Sequence, residues 1–185
     1  MKSLFIIRHG EIDFNKEGRY AGSVDVELNW VGIQQTNDIV KEIEKLEIDL
    51  IITSPLKRCT KMVEIINMVL QKPVVVMNEF RERGVGVFEG LTREEARNKY
   101  PDFWAKNITR IYDGAPTGGE TIRQVEKRVF EGLENIKGTK KYRNILIITH
   151  AFVGKMVHKY FHPMTEAEFF KYKLENARIV RYTLI

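Results

Sequence analysis

The chain has very little cysteine, since Cys59 is the only one among its 185 residues. A single thiol excludes an intramolecular disulfide and a cage of thiolate metal ligands, so we expect a small buried side chain and a cytoplasmic setting. Long apolar runs are also missing. The N-terminal apolar stretch is interrupted at Arg8, which makes it too short for a signal-peptide core or a membrane span. These absences predict a soluble protein with no membrane partner.

Charge of one sign is not concentrated in any part of the chain. The 30 basic and 25 acidic residues are interspersed, and the formal net charge is +5. No basic arm, RNA-binding motif or zinc-finger spacing is found, so a nucleic-acid partner is not predicted. The positive balance suits a small anionic metabolite. The length and the 43% hydrophobic content favour one domain over residues 1–185, and they leave a homo-oligomer possible.

Short β-branched runs alternate with longer amphipathic stretches along the chain. This alternation predicts an α/β fold, in which a single three-layer domain has a mostly parallel sheet flanked by helices. The predicted strands are 3–8, 49–53, 73–77, 144–149 and 178–184. The predicted helices are 31–46, 56–70, 92–99 with a capping box at its start, a short one from Pro101, 120–136 and 151–160.

Basic and imidazole side chains follow several of these predicted strands. Arg8 and His9 end the first strand, and His150 ends the fourth. Ser54 follows the second strand, and Arg58 comes one helical turn later. Ligands of α/β sheets bind beyond the carboxyl ends of the strands, and guanidinium groups match phosphate oxygens. Any one of these residues alone could be a solvated or capping residue, but together they favour a phosphate site.

Six motifs occur along the chain in an order typical of a known family. They are RHGE at 8–11 followed by Asn15, GRYAGSVDVELNWVGIQQ at 18–35, SPLKRC at 54–59, Arg81-Glu82 followed by VFEGLT, GGET at 118–121, and ITHA at 148–151. On these motifs the chain resembles the phosphoglycerate-mutase-like branch of the histidine phosphatase superfamily over nearly its whole length. Agreement at so many separated points is far more specific than any single match.

The resemblance implies phosphoryl transfer through a phosphohistidine, without a metal or a cofactor. It assigns His9 as the nucleophile and Glu82 as the general acid and base, with His150 as a further catalytic group. It assigns phosphate binding to Arg8, Asn15, Arg58 and His150. It places Gly22, Ser54, Glu120 and Ala151 in contact with the substrate or in support of the site.

Other carboxylates compete with Glu82 for the acid role. Glu79 is the fallback because it lies only three residues away, whereas Glu11 and Glu89 are better explained as structural. A general acid must be protonated to act, so we expect the side chains of Arg81 and Arg83 to point away from the site.

Three functions remain open at this stage. A phosphatase passes the phosphoryl group of a small phosphorylated metabolite to water, a mutase passes it to a second hydroxyl, and a noncatalytic module only binds the phosphorylated ligand. The longer mutases of the family carry an Arg-Arg pair, and no two arginines are adjacent here. His9 and Glu82 are both present, although binding alone needs neither. We therefore favour the phosphatase.

Two further patterns are ambiguous. We predict a lid over residues 91–117, and the apolar side chains of this segment can belong either to that lid or to the ordinary core: Phe103, Trp104, Ile108 and Tyr112. His158 and His162 have a spacing that metal ligands use, but Pro163 ends their helix and no carboxylate partner is evident. We therefore predict no metal site.

Overall fold

The computed structural model describes residues 2–184, which form a single α/β domain around a five-stranded sheet. The strands are β1 (Lys2–Arg8), β2 (Leu50–Thr53), β3 (Val74–Val76), β4 (Asn144–Thr149) and β5 (Ile179–Leu184). Their order across the sheet is β3-β2-β4-β1-β5. The first four strands pair in parallel, and β5 runs antiparallel to β1 at the edge. The predicted mostly parallel sheet is therefore confirmed.

Eight α-helices are found within residues 2–184. They are α1 (Asp13–Glu17), α2 (Trp30–Glu44), α3 (Lys57–Leu70), α4 (Arg93–Lys99), α5 (Pro101–Ala105), α6 (Ile122–Gly138), α7 (Ala151–Phe161) and α8 (Glu166–Lys171). Short 3-10 turns occur at Asn78–Phe80, Gly86–Phe88 and Ile108–Arg110. Sequence analysis missed α1 and α8, because helices of five or six residues are too short to show an amphipathic period.

Helix boundaries follow the capping side chains. The Asn29 side chain accepts a hydrogen bond from the Gly32 amide, so α2 begins at Trp30. The Thr121 side chain accepts from the Gln124 amide, and the Thr121 amide donates to the Gln124 side chain, so α6 starts two residues beyond the prediction. Thr92 forms the predicted capping box with Glu95. These local signals set where each helix leaves the sheet edge.

Helices cover both faces of the sheet. Leu4 and Ile6 of β1 point into one apolar cluster, which α6 and α7 complete. Phe5 and Ile7 alternate with them and point into a second cluster, which α2 and α3 complete. Successive strand residues face opposite sides, so a continuous apolar strand requires cover on both. The predicted three layers are thus confirmed.

The segment predicted as a lid folds into α4, α5 and a 3-10 turn beside the sheet. Phe103, Trp104 and Ile108 pack in a separate small cluster around Phe88, whereas Tyr112 packs against the main core. Tyr112 therefore belongs to the ordinary core, and a lid role for the other three stays a prediction. No helix among residues 2–184 is both long and apolar enough to cross a bilayer.

Candidate active site

His9 lies at the carboxyl end of β1 and is 3% exposed. Its Nδ1 is 2.7 Å from the Gly10 carbonyl oxygen. A carbonyl oxygen only accepts hydrogen bonds, so Nδ1 carries the proton and Nε2 keeps a free lone pair. Burial, and then the positive charges of Arg58 and Arg8, hold the pKa of His9 well below its ordinary value. His9 is therefore a neutral imidazole with Nε2 available as a nucleophile.

His150 directly follows β4 and is fully buried next to His9, with the two ring centroids 5.1 Å apart. The Arg58 Nε–H donates to His150 Nδ1 at 3.2 Å. His150 Nε2 consequently carries the proton and donates to Ser54 Oγ at 2.7 Å. The structure thus brings the two strand-end histidines together. Both nitrogens of His150 have protein partners, and its contact with a phosphate oxygen stays a prediction.

Arg58 is a guanidinium with no exposed surface, held against the site by three protein acceptors. Besides its bond to His150, its two terminal nitrogens donate to the carbonyl oxygens of Gly22 at 2.8 Å and Val24 at 2.7 Å. Each terminal nitrogen carries two hydrogens, so one on each remains for a ligand. Gly22 turns its carbonyl toward Arg58 from a left-handed conformation with φ +49°.

Arg8 and Asn15 present further donors to the same space. The Arg8 guanidinium donates to the Leu174 carbonyl oxygen at 3.2 Å, and its buried Nε has no hydrogen-bond partner among residues 2–184. The Asn15 carboxamide oxygen accepts bonds from the Ile12 amide and from Asn176, so its amide group is the end left free. A buried donor without a partner costs free energy that an anionic ligand would recover.

Glu82 supplies a carboxylate to this group. Its Oε1 accepts from the Arg83 amide at 2.9 Å, and its Oε2 accepts from the Phe152 amide at the start of α7 at 3.3 Å. Glu82 is half-buried and lies near Arg8. Burial lowers the pKa of the Arg8 guanidinium, and the negative charge of Glu82 opposes part of that effect. The carboxylate is thus fixed beside the guanidinium and imidazole groups.

A second layer of ionic contacts supports the loop that carries Glu82. Arg128 binds both carboxylate oxygens of Glu120 at 2.9 Å. The same guanidinium donates to the carbonyl oxygens of residues 79, 81 and 82. Glu120 also accepts from the Gly84 amide at 2.9 Å. Arg128 was not among the predicted site residues. The one local signal for it is its position eight residues after Glu120, on α6.

The rival carboxylates have structural partners. Glu89 Oε1 accepts from the amide and the hydroxyl of Ser23 and from the Val85 amide. Glu11 accepts from the Asn29 side chain. These contacts agree with the structural roles expected for both. Glu79, the fallback acid, does not line the cavity described next.

The site opens into a cavity of about 450 Å³. Seven of the ten residues predicted for the site line it: Arg8, His9, Asn15, Gly22, Arg58, Glu82 and Ala151. The other three, Ser54, Glu120 and His150, lie behind this lining and hold it in place. Residues that sequence analysis missed also line the cavity: Arg19, Tyr20, Ala21, Val85, Arg93, Thr109, Arg110, Phe152, Lys155, Phe170 and Lys173.

The expectation that Arg83 points away from the site is wrong. Arg83 lines the cavity, with its guanidinium carbon 4.9 Å above the Phe152 ring. Three carbonyl acceptors hold it there, namely those of Thr109 at 2.7 Å, Glu120 at 2.9 Å and Gly114 at 3.5 Å. Burial lowers the pKa of Arg83 to about 10. This arginine therefore links the Glu82 loop to residues 109–114.

Two other predicted features have structural explanations. His158 Nδ1 is 2.9 Å from the Tyr182 hydroxyl, and its ring stacks on Tyr172 with centroids 4.0 Å apart. Within residues 2–184 there is no group of three or more side chains that could hold a metal ion. Cys59 is fully buried 3.5 Å from His150 Nε2, and burial raises the pKa of its thiol, which keeps it protonated.

Comparisons with known proteins agree with this geometry. The family model of the histidine phosphatase superfamily (branch 1) matches residues 4–184. A relative from Bacillus subtilis (strain 168), named "Uncharacterized phosphatase PhoE", is 32% identical over 184 residues, which is 100% of this chain and 86% of the relative.

Solved structures show the same fold. Bacillus stearothermophilus YhfR superposes with a TM-score of 0.88 at 26% identity, covering 98% of this chain and 90% of the other. The alpha-ribazole phosphatase from Shigella flexneri superposes with a TM-score of 0.86 at 22% identity, covering 97% and 89%. From the family match and the Bacillus subtilis relative together, this chain belongs to the histidine phosphatase superfamily.

Proposed function

We propose that this protein hydrolyses phosphomonoesters of small metabolites through a phosphohistidine formed on His9. The observation that carries the proposal is the neutral His9 imidazole, whose free Nε2 lies in a cavity with the guanidinium groups of Arg8 and Arg58. One carboxylate, Glu82, lines the same cavity. The phosphatase name of the Bacillus subtilis relative supports the same reaction.

In the first step, His9 Nε2 attacks phosphorus and the bond from phosphorus to the ester oxygen breaks. Arg8, Arg58 and Asn15 donate hydrogen bonds to the phosphoryl oxygens and stabilise their charge in the transition state. Protonated Glu82 transfers its proton to the departing alkoxide, which leaves as an alcohol. The products of this step are the alcohol, a Glu82 carboxylate and phosphorylated His9.

In the second step, water replaces the alcohol. The Glu82 carboxylate takes a proton from water as the oxygen bonds to phosphorus, and the bond between phosphorus and Nε2 breaks. Inorganic phosphate leaves, His9 regains its lone pair, and Glu82 is protonated again. The bond from His9 Nδ1–H to the Gly10 carbonyl oxygen holds the ring in one tautomer throughout.

His150 and Ser54 support this chemistry by orienting Arg58. Because His150 accepts from Arg58 Nε and donates to Ser54, its ring fixes the plane of the guanidinium. We also expect residues 91–117 to close over bound substrate, since Arg93, Thr109 and Arg110 of this segment line the cavity. Closure would exclude water other than the attacking molecule.

Substitution of the nucleophile tests the proposal. His9→Asn should lower kcat for 4-nitrophenyl phosphate at least about a thousandfold, because no group replaces Nε2. The wild-type protein, quenched during turnover of a 32P-labelled ester, should carry a label that is stable in alkali and lost in acid. His162→Gln is the matched control, since His162 is exposed and does not line the cavity. Turnover of folded His9→Asn within tenfold of wild type would remove His9 as nucleophile.

The mutase is the runner-up because it shares the phosphohistidine. Products formed from 3-phosphoglycerate with a bisphosphate primer separate the two reactions. We expect inorganic phosphate and glycerate as the main products. Formation of 2-phosphoglycerate faster than phosphate release would identify a mutase instead, and binding without either product would identify the noncatalytic module.

A further inference from the structure

We propose that the natural ester carries a second anionic group on its leaving alcohol, and that four cations at the mouth of the cavity bind it. These four residues, called the rim cations below, are Arg93, Arg110, Lys155 and Lys173. The shared chemistry of the second group is negative charge, supplied by a carboxylate or by another phosphate. This inference rests on the proposed function and names the class of substrate for the same site.

The charge of the cavity exceeds what one phosphate requires. Among the described residues, its lining contains eight cationic side chains and one carboxylate, that of Glu82. Arg8 and Arg58 together can neutralise a phosphate dianion. The rim cations are additional, and they come from separate parts of the chain that the fold brings to one opening. A phosphate ester of a neutral alcohol has no second negative charge that these additional cations could bind.

The rim cations have no carboxylate partner in the part of the chain that the structure describes. None of the ion pairs found there includes a rim cation, whereas Arg19, which also lines the cavity, pairs with Glu17 at 2.6 Å and Glu95 at 2.7 Å. Glu166 lines an outer groove with Arg110, but it is not within ion-pair distance of that guanidinium. The rim therefore holds uncompensated positive charge.

These cations also lie close to one another. Lys155 is half-buried, and burial together with the charges of Arg110 and Lys173 lowers its pKa. Arg93 and Arg110 both lie near the Tyr20 hydroxyl, where their charge opposes the rise in pKa that burial causes. Like charges that line one cavity repel, so the unliganded rim is destabilised relative to one that holds an anion.

Protein contacts hold two of the rim cations in place. The Arg110 guanidinium carbon lies 5.1 Å from the centre of the Phe170 ring. Lys155 Nζ donates to the carbonyl oxygens of Phe169 at 3.2 Å and Phe170 at 3.0 Å, which leaves one of its hydrogens free. Because these positions are set before a ligand arrives, less side-chain entropy is lost on binding.

Matched pairs of esters test the proposal. Glycerol 3-phosphate and 3-phosphoglycerate differ in one group, which is a neutral hydroxymethyl in the first and a carboxylate in the second. Fructose 6-phosphate and fructose 1,6-bisphosphate test a second phosphate in the same way. We expect kcat/KM, measured by phosphate release, to favour the anionic member of at least one pair by about tenfold, which corresponds to about 1.4 kcal/mol. The pair that responds identifies the anionic group.

Variants of the rim connect that preference to the structure. Arg93→Gln and Arg110→Gln should each lower the ratio of kcat/KM between the anionic and the neutral ester by about fivefold. Arg97→Gln is the matched control, because it removes the same charge from α4 one turn after Arg93 and does not line the cavity. The control should keep the wild-type ratio.

The possible failures are distinguishable. The proposal would be overturned if the wild-type protein showed no preference in either pair, or if the rim variants kept the wild-type ratio. Hydrolysis of glycerol 3-phosphate would still support the proposed function in both cases. Equal effects of Arg97→Gln and Arg93→Gln would overturn it too, since they would indicate general charge attraction. Release of phosphate from none of the esters would instead contradict the proposed function.

Discussion

The two ends of the cavity differ in how their positive charges are held. At the sheet edge, Arg58 is fully buried and donates to two carbonyl oxygens and to His150. At the rim, Arg93 is exposed and its side chain makes no hydrogen bond to another described residue. One guanidinium is part of the folded structure, and the other is available to a ligand. The comparison separates the residues that we propose to bind the phosphoryl group from those that we propose to bind the leaving group.

This difference has an energetic cause. A buried guanidinium is tolerated only when its hydrogen bonds are made, so its partners and its position are tightly constrained. A solvated guanidinium at the rim loses little hydration and can change without harm to the fold. We therefore expect substitutions at the sheet edge to affect both folding and turnover, and substitutions at the rim to affect substrate choice.

The largest expected effect comes from Arg58→Met. The change leaves the carbonyl oxygens of Gly22 and Val24 and the His150 Nδ1 without their donor, so the free energy of unfolding should fall by about 3–5 kcal/mol. The kcat of the folded variant should be about a thousandfold lower than that of the wild type. Urea denaturation and phosphate release measure the two effects. Arg93→Gln, the matched loss at the rim, should change the unfolding free energy by no more than about 0.5 kcal/mol. Similar losses in both variants would contradict the contrast.

The dependence of stability on pH gives the next effect. The pKa values of His9 and His150 lie well below 6.5 in the folded protein, and that of His158 is lowered as well. As the pH falls below about 6.5, the unfolded chain takes up protons that the folded state refuses, so stability falls. Each such imidazole contributes a slope of up to about 1.4 kcal/mol per pH unit.

Urea midpoints between pH 8 and pH 5 measure this slope. His9→Asn should make it shallower by up to one proton, because the unfolded variant has one imidazole fewer to protonate. Equal slopes in wild type and His9→Asn would show that burial does not keep His9 neutral. Turnover should not decline at pH 6.5 through protonation of His9, since its pKa lies lower.

A pair of glycines gives the smallest effect. Gly22 and Gly18 both have positive φ, at +49° and +69°. A Cβ at Gly22 would lie 2.4 Å from Glu89 Oε1, whereas a Cβ at Gly18 would meet nothing within 4 Å. Gly18→Ala should therefore lose about 1 kcal/mol from backbone strain alone, and Gly22→Ala about 2–3 kcal/mol. Gly22→Ala should also raise KM, because its carbonyl orients Arg58. Equal losses would show that the Glu89 contact relaxes without cost.

Neighbouring residues in the chain were enough to predict several elements of this protein. The β-branched runs specified the strands, with β4 as predicted, and the Thr92 capping box specified the start of α4. The family motifs placed Arg8, His9, Arg58 and Glu82 at the site. Each of these signals is local, because a strand end or a helix cap is defined by residues a few positions apart.

The hydrogen bonds within the site depend on contacts between distant parts of the chain, which the sequence did not reveal. Arg58 and His150 are 92 residues apart in the chain, and their hydrogen bond depends on β2 and β4 being neighbours in the sheet. The same applies to Arg83, which lines the cavity, contrary to the prediction, because three carbonyl oxygens distant in the chain accept its hydrogen bonds. It applies also to the rim cations. No periodicity or propensity encodes a contact between segments, because such contacts follow from strand order and helix packing. The sequence thus indicated a phosphate site, and the fold decided which cations of the cavity are held by protein acceptors and which are exposed at its mouth.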